Sequence, residues 1–251
     1  MKGKKTIYSA TLPLLTFLCI VAIWSVASSA VNSEYVLPSV SKTLEALIEL
    51  IKDSSFYLAL GSTFLRVLIA FVCSFLLAFL CAGAVNKHKE LSKVINPVVS
   101  VLRALPTVAV VLLLMFWTDS QVAPVIVTML VVFPVLFTNL CASFRAIDND
   151  VVEMCTLFNV EKKKVFYKVK LPLMMPTLMS AIGSGLSLNL KLMVAAEVLA
   201  ATANSLGSKL SFANYNLQVA TMIALVLVTV ITGVIIESVF NLISKKVGAW
   251  K

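Results

Sequence analysis

The sequence predicts an all-α protein that crosses a membrane several times, and three observations carry that expectation. Of its 251 residues, 60% are hydrophobic and only 13% charged, and the mean hydropathy is +0.99. Apolar runs recur at the length of roughly 20 residues that a helix needs to cross a bilayer core of ~30 Å. These runs are apolar all round, whereas helices of soluble proteins alternate apolar and polar faces. A membrane barrel would show short alternating strands instead.

Six spans are expected, at about 9–29, 59–85, 96–117, 122–143, 174–202 and 217–242, within a single transmembrane domain over 1–251. Lys2, Lys4 and Lys5 precede the first span as they would a signal peptide. Its apolar stretch is too long for one, and Ser28-Ser29-Ala30 is only a weak cleavage site, so the span is expected to stay uncleaved. After it, Leu37-Pro38-Ser39 leads into a short amphipathic helix that Ser41 can cap. Leu44, Leu47, Ile48 and Ile51 share one of its faces, with Lys42, Glu45, Glu49 and Lys52 on the other. At about four turns it is too short to span, so it is expected to lie at the outer interface in a packing role. The remaining connections are a short loop at 86–95, a tight outer turn at 118–121, a long segment at 144–173 and a polar outer loop at 203–216.

Charge sets the orientation. With the N-terminus inside, fifteen of the 21 lysines and arginines fall on the cytoplasmic side: Lys2, Lys4, Lys5, Lys87, Lys89, Lys93, Arg145, Lys162, Lys163, Lys164, Lys168, Lys170, Lys245, Lys246 and Lys251. Only Lys42, Lys52 and Lys209 lie outside, and Arg66, Arg103 and Lys191 fall within spans. Both termini are therefore expected in the cytoplasm, and the net charge of +9 reads as a topology signal. Nucleic acid is not expected as a partner, because the charges flank spans and form no aromatic-basic face.

Several chemistries are not called for. Cys19, Cys73, Cys81, Cys141 and Cys155 form no CxxC pair, so neither a disulfide framework nor a zinc site is suggested. His88 stands alone in a charged loop, where a solvated role is expected. P-loop, HExxH and GxSxG motifs are absent, as are paired carboxylates in a soluble segment. No catalytic residue, metal site or cofactor is expected. Uphill movement of a solute would then draw on an ion gradient or on a separate subunit.

The segment 144–173 is long for a connection between two spans and carries its own pattern. A helix is expected near 149–158, capped by Asn149 or Asp150, with Glu153 toward its positive end and apolar surface from Val152, Cys155, Leu157 and Phe158. Asn159 can take the left-handed conformation that ends a helix. A second helical stretch should run to Leu171, with Pro172 opening the fifth span, where a missing amide donor costs little. Such an amphipathic helix–turn–helix suits docking into a groove on a partner. A solvated positive-inside loop accounts equally for Lys162, Lys163 and Lys164 taken alone.

The pattern Glu-small-small-x3-Gly-x9-Ile-x-Leu-Pro marks permease subunits of bacterial binding-protein-dependent ABC importers, and this segment resembles it in register. Glu153, Asn159, Val169, Leu171 and Pro172 occupy the pattern's fixed positions. Met154 and Cys155 replace two alanines, and Asn159 replaces the glycine, being the next best residue for a positive φ. Further stretches resemble the nitrate/sulfonate/taurine branch. They are Leu37-Pro38-Ser39, Arg103-Ala104-Leu105-Pro106, Trp117, and Val194-Ala195-Ala196-Glu197 followed by Ser205-Leu206-Gly207. The chain departs from that branch at Thr118 and Asp119, and at Lys191, where an aromatic residue is common.

The resemblance implies a type I ABC importer permease in the bacterial cytoplasmic (inner) membrane, surrounded by lipid. Two copies, as a homodimer, would form the pathway, cytoplasmic ABC ATPase subunits would supply energy, and an extracytoplasmic substrate-binding protein would deliver cargo. Glu153, Met154, Cys155, Phe158, Asn159, Val169, Leu171 and Pro172 would form the ATPase-coupling element. The cargo implied is a small organic or inorganic anion, sulfonate- or nitrate-like, or a vitamin precursor.

Charges inside spans call for a functional role and a named partner. Lys191 and Glu197 are six apart and cannot form a close pair on one helix, so pathway lining and structural pairing both stand open. Arg103 is a third pathway candidate, either lining the entrance or snorkelling to the inner headgroups. Snorkelling is expected of Arg66, and a structural role of Glu237. Pro106, Pro124 and Pro134 can kink their helices. The alternative reading is an ion-driven secondary transporter using Glu197 and Lys191, which inverted repeats would favour; a membrane scaffold without transport is a third.

Overall fold

The computed structural model describes residues 2–145, 147 and 149–248. Lys251 and the side chains of Lys2, Lys4, Lys5, Asn149, Val152 and Lys162, all of which entered the expectations above, lie outside the described residues. The fold is all-helical among those residues. It divides into two compact units, one of Met1–Leu58 with Lys209–Val228 and one of Ala59–Ser208 with Thr229–Lys251.

The first unit contains α1 (Lys2–Val31), α2 (Val40–Lys52) and the adjoining ends of longer helices. Asn32, at φ 49°, ends α1 with its N–H donating to the Ser28 carbonyl at 3.0 Å. The indole of Trp24 donates to the Pro38 carbonyl at 3.1 Å and holds the linker against α1. The cap of α2 differs from expectation. Ser39, not Ser41, accepts from the Lys42 N–H, because Ser39 is the last extended residue and Val40 is already helical. The buried face is also different: Thr43, Ala46 and Leu50 face inward, while Leu44, Ile48 and Ile51 remain exposed. Small side chains allow the close packing, and the larger ones are left for an apolar exterior.

Asp53 joins α2 to α3 (Ser54–Lys87). Its N–H donates to Glu49 and Leu50 carbonyls, and its carboxylate accepts from the Ser55 N–H at 2.9 Å and from the Lys209 ammonium at 2.8 Å. These donors hold its carboxyl down to about 2 from 3.8, with the Lys209 hydrogen bond the largest cause and Ser55 next.

In chain order α3 is followed by a 3-10 turn (Lys89–Leu91), α4 (Ser92–Ala104), α5 (Thr107–Leu114), α6 (Ala123–Arg145) and α7 (Asn149–Leu157). Then come α8 (Lys162–Val165), a π-helical turn (Phe166–Lys170), α9 (Leu171–Leu199), α10 (Leu206–Tyr215) and α11 (Val219–Gly248). The core is built from Val67, Phe71, Val132, Leu136, Leu140 and Leu190, and α6 packs along α9. That approach requires Gly185: a Cβ there would sit 2.7 Å from a Leu136 methyl.

Among the described residues, four helical segments are long and apolar enough to cross a bilayer, Ser54–Lys87, Ala123–Arg145, Lys163–Leu199 and Val219–Val247. Within α1 a shorter apolar stretch runs over Leu18–Val31. The span expected at 96–117 is not one helix. Lys89–Ala104 and Thr107–Leu114 meet at 89°. Pro106 disfavours helical geometry at Leu105, which is extended at φ −65°, ψ 126°. Pro124, by contrast, kinks nothing, because it lies in the first turn of α6.

The second helical stretch of the 144–173 segment is likewise not separate. It runs without a break into α9, so that Lys163–Leu199 forms one 37-residue helix. Pro172 offers no N–H and its ring crowds the preceding turn. The turn widens accordingly, with the Leu171 N–H donating five residues back to the Phe166 carbonyl.

Candidate functional site

Helix α7 is short and built to present a surface. Met154, Leu157 and Phe158 stand three and four residues apart, on one face, and are 57%, 76% and 77% exposed. Glu153 is exposed beside them and Cys155 is half-buried. The helix ends as the sequence led one to expect. Asn159 sits at φ 51°, its N–H donates to the Thr156 carbonyl at 3.0 Å, and the Val160 N–H donates to the Cys155 carbonyl at 3.0 Å. These two bonds are the Schellman pair that closes a helix on a left-handed residue. Val169 and Leu171 are half-buried in the π turn and the start of α9, and Pro172 is exposed there. The eight candidate coupling residues thus divide into a presented group on α7 and a group at the root of α9.

A second constellation centres on Glu197, which has no exposed surface. The Thr63 hydroxyl donates to Oε2 at 2.9 Å, the Gly207 N–H donates to the same oxygen at 3.3 Å, and Arg66 Nη1 donates to Oε1 at 3.0 Å. Thr63 in turn accepts from the Leu206 N–H at 2.9 Å. Leu206 and Gly207 open α10, so the carboxylate faces unsatisfied amides at a helix's positive end. Ser205 and Ser208 exchange reciprocal backbone-to-hydroxyl bonds at the same turn, at 2.9 and 3.0 Å. Arg66 also reaches the Gln121 side chain, and Gln121 donates on to the Ala203 carbonyl at 3.4 Å.

Gly207 admits this arrangement only because it lacks a side chain. A Cβ there would lie 2.4 Å from the Glu197 Cβ and 2.6 Å from the Val198 nitrogen. Snorkelling, expected of Arg66, is therefore not what the structure shows. Its side chain is 13% exposed and turned inward to the carboxylate, because an ion pair with two further donors on the carboxylate outweighs hydration of one cation. Sequence reading missed this partnership, and missed Thr63 and Gln121 entirely. A guanidinium and a carboxylate near the same ends of two apolar runs were the available signal.

The other two intramembrane candidates differ from each other. Arg103 donates to the Pro134 carbonyl at 3.2 Å and to the Thr138 hydroxyl, so it is bound to α6. Lys191 is exposed on α9 and makes no hydrogen bond or ion pair with another described residue.

Residues 74–249 match the family described as binding-protein-dependent transport system inner membrane component. The chain belongs to that family. It is thus an importer permease of the inner membrane, and the α4–α5 bend, helix α7 and the contact between Glu197 and the start of α10 fall in the matched region. Among relatives, the permease is 22% identical to the formylaminopyrimidine transport permease protein ThiX of Halalkalibacterium halodurans over 71% of each chain. It is 20% identical to the taurine transport system permease protein TauC of Escherichia coli, over 90% of this chain and 84% of that one. A chain of the inward-facing MetNI methionine ABC transporter superposes with a TM-score of 0.60 at 17% identity, covering 76% of the permease and 97% of that chain. This likeness confirms the permease fold that the segment's pattern led us to expect.

Proposed function

We propose that the permease crosses the membrane six times, with α1 as its first span and both termini in the cytoplasm, and that two copies enclose the solute pathway. ATP is hydrolysed on separate cytoplasmic subunits, and α7 is the element that fits a groove on each of them. The observation that carries this reading is the exposed trio Met154, Leu157 and Phe158 on a helix closed by a left-handed Asn159. Apolar side chains presented at helical spacing are what a helix-in-groove contact requires. Closure of the ATPase pair would move both α7 helices and switch the pathway between its two orientations by rigid-body rotation. An extracytoplasmic binding protein delivers the cargo.

The cargo we propose is a small anion or a vitamin precursor, in keeping with relatives named for taurine and for formylaminopyrimidine. Lys191 supports the anionic choice: an exposed ammonium within a span is costly in hydrocarbon and fits a wet pathway. Glu197, by contrast, is saturated by donors, which does not favour a gradient-driven carrier that would load and unload a proton there. Co-purification of the ATPase with permease carrying Glu153→Lys, or lacking 150–160, tests the reading. Loss of the ATPase is expected, and unchanged recovery would overturn it. Transport in proteoliposomes that requires both ATP and the ATPase is the accompanying expectation.

A further inference from the structure

Within the second unit, α9 and α11 pack antiparallel, and glycines set how closely they approach. A Cβ on Gly183 would lie 3.5 Å from the Glu237 Cα. One on Gly233 would lie 3.1 Å from the Ser187 hydroxyl and 3.8 Å from the Lys191 Cε. Further along, the Ser180 hydroxyl donates to the Asn241 side-chain oxygen at 3.3 Å, and the Ser244 hydroxyl donates to the Pro176 carbonyl at 2.6 Å. On α9, Ser180, Ser184 and Lys191 fall at helical spacing on one flank, and none of them is buried. On α11, Glu237 and Asn241 are four apart and half-buried. The Ser180–Asn241 bond shows that the two flanks open on the same side. Glu237, like Lys191, makes no hydrogen bond or ion pair with another described residue. Side chains tilt toward the N-terminus of their helix, so in an antiparallel pair these two charges incline toward one another. The Lys191 stem reaches Gly233, one turn of α11 from Glu237, yet the ammonium and the carboxylate do not close into a pair.

We propose that this flank of α9 and α11 is part of the solute pathway, and that Lys191 and Glu237 form a two-point site for a solute carrying both an anionic and a cationic group. The proposal rests on the reading that two copies enclose a pathway. It narrows the anionic cargo to one that also carries an ammonium or similar cation a few bonds away. Ionised side chains without a partner are costly in hydrocarbon, so the flank that bears both faces water and not lipid. Two opposite charges held apart on one wet wall leave each free for the complementary end of a solute. An anion with no cationic end would gain Lys191 but meet the Glu237 carboxylate close by, and that repulsion makes the site selective. The Ser184 hydroxyl donates to the Ser180 and Ala181 carbonyls at 3.1 and 3.3 Å, which leaves its oxygen to accept from the solute's donor.

The test uses full-length permease in nanodiscs, with its five cysteines changed to serine and Ser184→Cys added as a reporter. A charged, water-soluble methanethiosulfonate should label that reporter. β-Alanine should protect it at about tenfold lower concentration than propanoate, which differs only in lacking the ammonium; tenfold is one added ion contact of about 1.4 kcal/mol. Glu237→Gln should remove that advantage, and Lys191→Gln should remove protection by both compounds. No labelling at Ser184→Cys would put the flank against lipid or protein and overturn the proposal. Equal protection by the two compounds with Lys191 and Glu237 intact would overturn the two-point site. A structural pair would read differently: Lys191→Gln and Glu237→Gln would each lower the unfolding midpoint, and exchanging the two charges would restore it. That result without protection by β-alanine would also overturn the site. None of these readouts involves the ATPase, so they stand apart from the co-purification that tests coupling.

Discussion

Arg66 on α3 lies 3.0 Å from Glu197 on α9, and the carboxylate it meets has no solvent-exposed surface. The pair is the centre of a polar cluster that binds α3, the turn at 120–121, the end of α9 and the first turn of α10. Breaking one partner leaves a buried charge alone, which costs far more than the pair contributes by existing.

Arg66→Met is therefore expected to destabilise the permease by about 3–5 kcal/mol. Arg66→Met with Glu197→Gln should recover part of that loss, since a neutral amide remains able to accept from Thr63 and Gly207. Thermal unfolding in detergent of the single variants and the double variant measures the coupling. Additive losses would show that the two residues do not act as a pair.

Gly207→Ala should be worse than its size suggests. The new methyl would press on the Glu197 side chain and the Val198 backbone at once, and backbone does not yield as a rotamer does. An overpacking cost at or above the usual 1–3 kcal/mol is expected, seen as lost expression or a lowered unfolding midpoint. Gly61→Ala, where nothing lies within 4 Å, is the neutral control.

Asn159 tests the turn that closes α7. Asn159→Gly should keep the Schellman bonds and ATPase recovery, whereas Asn159→Val puts a β-branched residue at φ 51°. The valine should cost about 1–2 kcal/mol locally and speed amide exchange at Val160. Equal exchange in the valine variant would remove the conformational argument.

Asp53 gives a pH dependence of known sign. Its folded value is depressed to about 2 from 3.8, so its contribution is complete above the unfolded value and is lost as pH falls through the folded one. Amide protection across the α2–α3 junction, relative to the intrinsic exchange rate at each pH, should fall between about pH 4 and pH 2 by this route. Lys209→Gln or Asp53→Asn should flatten that dependence, and a junction equally pH-sensitive in Asp53→Asn would assign the effect elsewhere.

Much of this architecture was legible in the order of residues, and the exceptions have physical causes. Apolar length was enough to find α3, α6 and α11, because crossing lipid demands it locally. The close of α7 at Asn159 was legible too, since only a few residue types tolerate that backbone angle. Hydropathy could not show the break at Leu105, because both arms are equally apolar and only the proline marks the joint. The cap at Ser39 was misplaced by two residues because both serines have capping chemistry. The Arg66–Glu197 pair was invisible for a deeper reason. It joins positions 131 apart in the chain, and no local pattern states which apolar helices lie side by side.

The uninterrupted helix over Lys163–Leu199 has a mechanical consequence. At ~1.5 Å per residue it is a rod of roughly 55 Å, rooted beside the Asn159 turn at one end and carrying Glu197 in its last turn at the other. A load applied at its foot travels along covalent bonds and a ladder of amides to the Arg66 clamp, with no loop to absorb it. The widened turn before Pro172, one turn ahead of Pro176 with its missing amide, is the compliant joint on that route. Whatever force enters the chain near Lys163 is divided there, between bending the rod and pulling on the clamp.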